Sequence, residues 1–125
     1  MIPETLNWTA VIVGTIAAFA IGFLWYGRFF TKPWMEGSRL TQEDGQEMPI
    51  AAMVLQILGL FLLALVIGVT ATTEALGTAI LAILAAAVLI MSGAGFSKKT
   101  KAAMMIEGGY VLVAGVVMII AQGAL

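Results

Sequence analysis

The chain of 125 residues contains no cysteine and no histidine. That excludes disulfides, thiolate and imidazole metal sites, and every catalytic nucleophile or base built on those groups. Charge is scarce too: Asp, Glu, Lys and Arg make up 10% of the residues, against about a quarter in a soluble domain. With 62% hydrophobic residues, too little polar surface exists to coat a water-soluble globule of this size. The net charge is −1 and no broad basic face is present, so nucleic acid is not an expected partner.

What the chain does have is apolar length. Four runs extend from about Trp8 to Phe30, Pro49 to Thr70, Ala75 to Phe96 and Ala102 to Ala124, each near the roughly 20 residues that span about 30 Å of hydrocarbon. Without water to satisfy backbone groups, helix is the conformation such segments adopt. They are too long and too uniformly apolar for strands of an outer-membrane barrel. The first run is not expected to be a cleavable signal peptide, because its leader carries Glu4 and no Lys or Arg. The expected fold is all-α: one integral membrane four-helix bundle over residues 1–125, with a linker over about 31–48.

All six cations fall in two short stretches, Arg28, Lys32 and Arg39 in the first and Lys98, Lys99 and Lys101 in the second. By the positive-inside rule both stretches face the cytoplasm and both termini face out. Complete segregation argues for a single orientation, against assemblies of oppositely inserted subunits. The second and third runs are joined only by Ala71 to Glu74, where Thr73 is placed to cap the third helix. Ser97 to Lys101 joins the third and fourth, so both pairs are expected to form antiparallel hairpins. In the longer linker, Thr41 followed by Asp44 has capping-box spacing and predicts a short surface helix, and Pro49 suits the first turn of the next helix.

Ala10, Gly14, Ala18 and Gly22 recur every four residues in the first run. Such a small-residue ladder lets another helix backbone approach closely, either within the bundle or across a homo-oligomer seam. The same helix exits through Trp25, Tyr26, Arg28, Lys32 and Trp34, a set that reads as an interfacial anchor with rings and cations at headgroup level, with a ligand site as the alternative reading. Pro33 is expected to stop the helix or turn the chain there.

Glu107 is the chemical exception in the apolar runs. It stands about two turns beyond Lys101, where an ionised carboxylate costs up to about 2.5–3.5 kcal/mol unless it is paired, protonated or wetted. Pairing with a nearby lysine or bonding to Tyr26 or Tyr110 is one reading, and a proton or cation relay is another. Gln56 lies at a similar depth, and Ser92 and Tyr26 are close to that layer, so a polar cluster of Glu107, Gln56, Tyr26, Ser92 and Tyr110 is expected. Thr15, Thr78 and Gln122 are further polar residues within the runs. No second intramembrane carboxylate accompanies Glu107, and no serine has a base at suitable spacing. The Gly93-Ala94-Gly95 segment lacks the spacing of a phosphate-cradling loop. No enzyme activity, metal or cofactor is expected.

Asn7-Trp8 opens the first helix, Gly22 with Trp25-Tyr26-Gly27 closes it, and Phe30, Lys32-Pro33-Trp34-Met35 and Leu40-Thr41 with Glu43-Asp44 follow. With Gly109-Tyr110, this text resembles the DUF1761 family of small four-helix bacterial membrane proteins. Where that family has a Gly-Tyr-His run often preceded by Asn, this chain has Val111 at the His and Glu107 near the Asn. The resemblance implies a bacterial inner-membrane protein and carries no activity to transfer. Two function classes follow: an oligomeric ion or small-solute pathway lined by Glu107 and Gln56, or a non-catalytic scaffold or accessory subunit. The expected partners are the lipid bilayer and a second copy, with the cytoplasmic linker a place for a protein partner.

Overall fold

The computed structural model describes residues 4–38 and 50–125. Among these residues are five α-helices and no strand: α1 (Trp8–Leu24), α2 (Thr31–Gly37), α3 (Ile50–Thr72), α4 (Leu76–Phe96) and α5 (Lys101–Ala124). A π-helical turn, Trp25–Phe29, extends α1. The turn included, four helices are long and apolar enough to cross a membrane. Arg39, the capping-box segment 40–44 and Pro49 lie outside the described residues.

Local chemistry sets the helix ends. The Asn7 side chain accepts the Ala10 N–H at 3.0 Å, and Thr100 Oγ1 accepts that of Ala103 at 3.2 Å, so each satisfies an orphan donor of a first turn. Thr73 does not cap α4 as its position predicted. Its hydroxyl donates back to the Thr70 carbonyl, and Ala75 is the α4 N-cap without a side-chain bond. The physical reason is that α3 closes by a Schellman turn, in which Ala75 N–H donates to Thr70 O and Glu74 N–H to Ala71 O. Glu74 takes the left-handed position at φ 54°, and Lys98 takes the same role after α4 at φ 67°. Nor does Pro33 end a helix. It sits in the first turn of α2, where its missing N–H would have had no partner.

α5 is the hub, packing against each of the other four helices. Its neighbours come close because one side of each contact is small. A methyl added at Gly14 would lie 3.4 Å from the Met118 Cα, and one at Gly22 would lie 3.0 Å from the Tyr110 hydroxyl. The α1 ladder is therefore occupied within the chain, against α5. On the other side, Ile83 of α4 fills the space above Gly115, its nearest atom 2.5 Å from where a Cβ would stand.

α3 is held differently. Its buried residues are Leu60 at the middle and Ala64, Ile67, Gly68 and Thr70 in the half nearer the chain termini. Ile50, Val54 and Leu55 in the other half are exposed. The bundle is thus tight at the terminal end and open at the end that bears the cations. Gly115→Ala is expected to lower stability by about 1–3 kcal/mol by overpacking against Ile83. Gly59→Ala, whose Cβ would meet nothing within 4 Å, is expected to be neutral or stabilising by up to about 1 kcal/mol. Thermal unfolding of the two variants in detergent checks the contrast.

Candidate functional site

The open end contains a cleft of about 630 Å³ between α1, α3, α4 and α5. It exists because the first two turns of α3 stand off from α5. Leu60, Leu63, Ala86 and Ile90 form much of its apolar wall, while Glu107, Tyr110, Tyr26, Trp34 and Gln56 supply its polar groups.

The aromatic floor is built by the π-helical turn. Its extra residue lets Phe30 N–H donate to the Trp25 carbonyl at 3.0 Å, an i to i+5 bond that brings the two rings to 4.7 Å. In a regular α-helix residues five apart point about 140° away from one another. Trp25 lies against Gly109, and its indole N–H donates to the Ile106 carbonyl at 2.8 Å. Trp25 is therefore a strut between α1 and α5, a role its reading as a headgroup anchor missed. Arg28 and Lys32 are exposed, as anchoring requires. Tyr26 packs edge-on to Tyr110 at 5.5 Å and against Trp34 at 4.8 Å, in offset geometries that favour aromatic pairs.

Tyr110 is almost fully buried. Its hydroxyl donates to the Ala18 carbonyl at 2.7 Å, in the space that Gly22 leaves free. Glu107, one turn earlier, receives Lys99 Nζ at 2.7 Å, with side chains 14% and 25% exposed respectively. The two residues are eight positions apart, so Lys99 reaches back from the α4–α5 turn along two turns of α5. α2 packs on the start of α5 at this end: Gly37 lies against Thr100 and Ala103 with no room for a Cβ, and Thr100 N–H donates to the Gly37 carbonyl.

Four of the five residues expected in a polar cluster, Glu107, Gln56, Tyr26 and Tyr110, line one cleft. Ser92 does not. It is exposed and outside the walls, because it lies two residues and about 200° around α4 from the wall residue Ile90. Trp34, from the aromatic set at the exit of α1, joins the cleft. Its indole nitrogen is buried without a partner among the described residues, as are Thr31 Oγ1 and Ser38 Oγ on the same short helix.

Fold and site together define a small polytopic membrane protein with an aromatic cleft, holding one acidic residue among the described walls, at one end of a four-helix bundle. A family model described as "Protein of unknown function (DUF1761)" matches residues 9–123, and the chain belongs to that family. No curated protein and no solved structure matches it.

Tyr110→Phe removes the hydroxyl that ties α5 to the α1 backbone at Ala18. The expected loss is about 0.6–1.7 kcal/mol, the range for interhelical bonds in membranes. It is measurable as a lower unfolding midpoint in detergent, with Trp25 emission reporting the loosened strut.

Proposed function

We propose that this protein forms a pathway for small solutes or ions, with the cleft as its cytoplasmic vestibule. The carrying observation is that two cavities lie in file between α3, α4 and α5. The cleft extends to Leu63 and Ala114, and a second pocket of about 170 Å³, lined by Ile67, Ala79 and Ile119 among others, begins at the terminal end. Leu63 and Ile67 are one turn apart, about 6 Å along α3. On α4 the buried Ile83 stands between Ala79 of one cavity and Ala86 of the other. Between one and two helical turns of packed side chains therefore separate them.

In this reading the cationic ends of the helices lie in the cytoplasm of a bacterium and both termini face out, as the segregation of Arg28, Lys32, Lys98, Lys99 and Lys101 supports. Solute enters from the inner leaflet and meets Glu107, Gln56 and Tyr26. Passage beyond Ile83 requires α3 to move or a second copy to complete the route. Because α5 already occupies the small-residue ladder of α1, self-association uses other faces, and the lipid-exposed sides of α3 and α4 carry the apolar area for it. A partner at the cytoplasmic linker would adjoin the vestibule mouth.

The chain has no cysteine, which makes single-cysteine variants direct probes. Gln56→Cys is expected to react with a membrane-impermeant maleimide only from the cytoplasmic face, and Gly123→Cys only from the opposite face. In proteoliposomes, shrinkage rates with small neutral solutes and dye-reported proton entry are expected to rise in Ile83→Ala and to fall in Gly59→Phe, which fills the cleft. Glu107→Gln is expected to abolish proton-coupled entry. Oligomers that show no flux in wild type or Ile83→Ala would instead make the protein a scaffold.

A further inference from the structure

We infer that the cleft takes an organic cation, and that Lys99 is a tethered internal competitor for its carboxylate. This inference deepens the reading of the cleft as a solute site and rests on it. Among the described residues that form the walls, Glu107 is the only charged one. Lys99 pairs with it but is not part of the walls, so the carboxylate meets Lys99 on one side and the cavity on the other.

The same cleft is lined by the aromatic rings of Tyr26, Trp34, Tyr110 and Phe23. Aromatic faces attract cations through their quadrupole, most strongly where water is excluded. Gln56 apart, the remaining wall is apolar, which suits a cation whose charge is wrapped in hydrocarbon. A small, strongly hydrated cation would lose its water there without enough oxygen ligands to replace it. An anion is disfavoured by Glu107, since like charges in a partly dry site repel.

Charge balance makes the exchange feasible. When an organic cation binds Glu107, Lys99 is released from a pair in which it is already a quarter exposed. It lies in the turn beside Lys98 and Lys101, both exposed, and its long side chain reaches headgroup phosphate or water. One cation replaces another, so neither state leaves the carboxylate unpaired. Removing Lys99 leaves the site one charge short and raises affinity for an external cation. Removing Glu107 leaves the ligand no counter-charge.

The test uses the full-length protein in phosphatidylcholine nanodiscs, with Trp8 replaced by Phe throughout so that tryptophan emission from Trp25 and Trp34 is the readout. Three probes of similar shape separate the terms: tetraphenylphosphonium, the neutral triphenylphosphine oxide, and the anionic tetraphenylborate. Tetraphenylphosphonium is expected to bind at least tenfold more weakly to Glu107→Gln, to recover in Glu107→Asp, and to bind about tenfold more tightly to Lys99→Gln. Binding of triphenylphosphine oxide is expected to be the same in all four proteins, which also certifies that the variants fold. Equal binding of the cation and the neutral probe, unchanged by these substitutions, overturns the cation inference and leaves the cleft reading standing. So does a preference for tetraphenylborate. Failure of every probe to saturate, even with wild type, overturns both.

Discussion

The close approach of α1 to α5 is the constraint on which the other features depend. Lipid tails are as apolar as leucine, so no hydrophobic force gathers these helices, and packing must come from complementary shape and from hydrogen bonds. Ala10, Gly14, Ala18 and Gly22 offer α5 a flat face, and α5 answers with Met118 and Tyr110. Only at that distance can the Tyr110 hydroxyl reach the Ala18 carbonyl and the Trp25 indole reach Ile106. A bulkier residue at Gly22 would have to displace the hydroxyl and with it the aromatic floor.

Glu107 inherits its surroundings from this contact. Trp25 bonds to the carbonyl of the residue immediately before it, and Tyr110 lies one turn after it. α5 is thereby prevented from rotating the carboxylate out toward lipid. Lys99 supplies the counter-charge from the turn, so the pair sits near the boundary and is spared the full cost of charge in hydrocarbon. The carboxylate thus stays in the bundle at modest cost while one side of it faces a cavity.

Much of this organisation is legible in the sequence, because the bilayer reduces the choices. The apolar runs give four helices, and the small-residue ladder of α1 marks a close contact. The depth of Glu107 and Gln56 along their helices predicts a shared layer, and both line the cleft. Other features depend on terms that no local pattern carries. The π-helical turn is invisible in Trp25–Phe29 itself, since an extra residue in a turn is stabilised by what Trp25 and Phe30 meet across the bundle. Depth alone could not place Ser92, because it gives height along the axis and not rotation about it. Thr73 had the residue type of a cap, but the Schellman closure of α3 claimed its hydroxyl first. The void itself follows from the absence of a partner for the first turns of α3, and the sequence there is as apolar as in the packed half.

That absence also determines how the cleft could change. α3 is anchored by Leu60, Ala64, Ile67 and Gly68 near one end, with Gly68 against Leu6, Val11 and Gln122. Toward the other end it presents Ile50, Val54 and Leu55 to lipid. A helix fixed at one end moves most at the other, and swinging its free half toward α5 would bury apolar wall against apolar wall at the expense of the cleft. In lipid such a gain would come from packing, and it would be set against the burial of Gln56 and Glu107, the polar groups of the cleft. A ligand that fills the void makes those contacts while α3 stays open, which ties occupancy of the cleft to the position of a single helix.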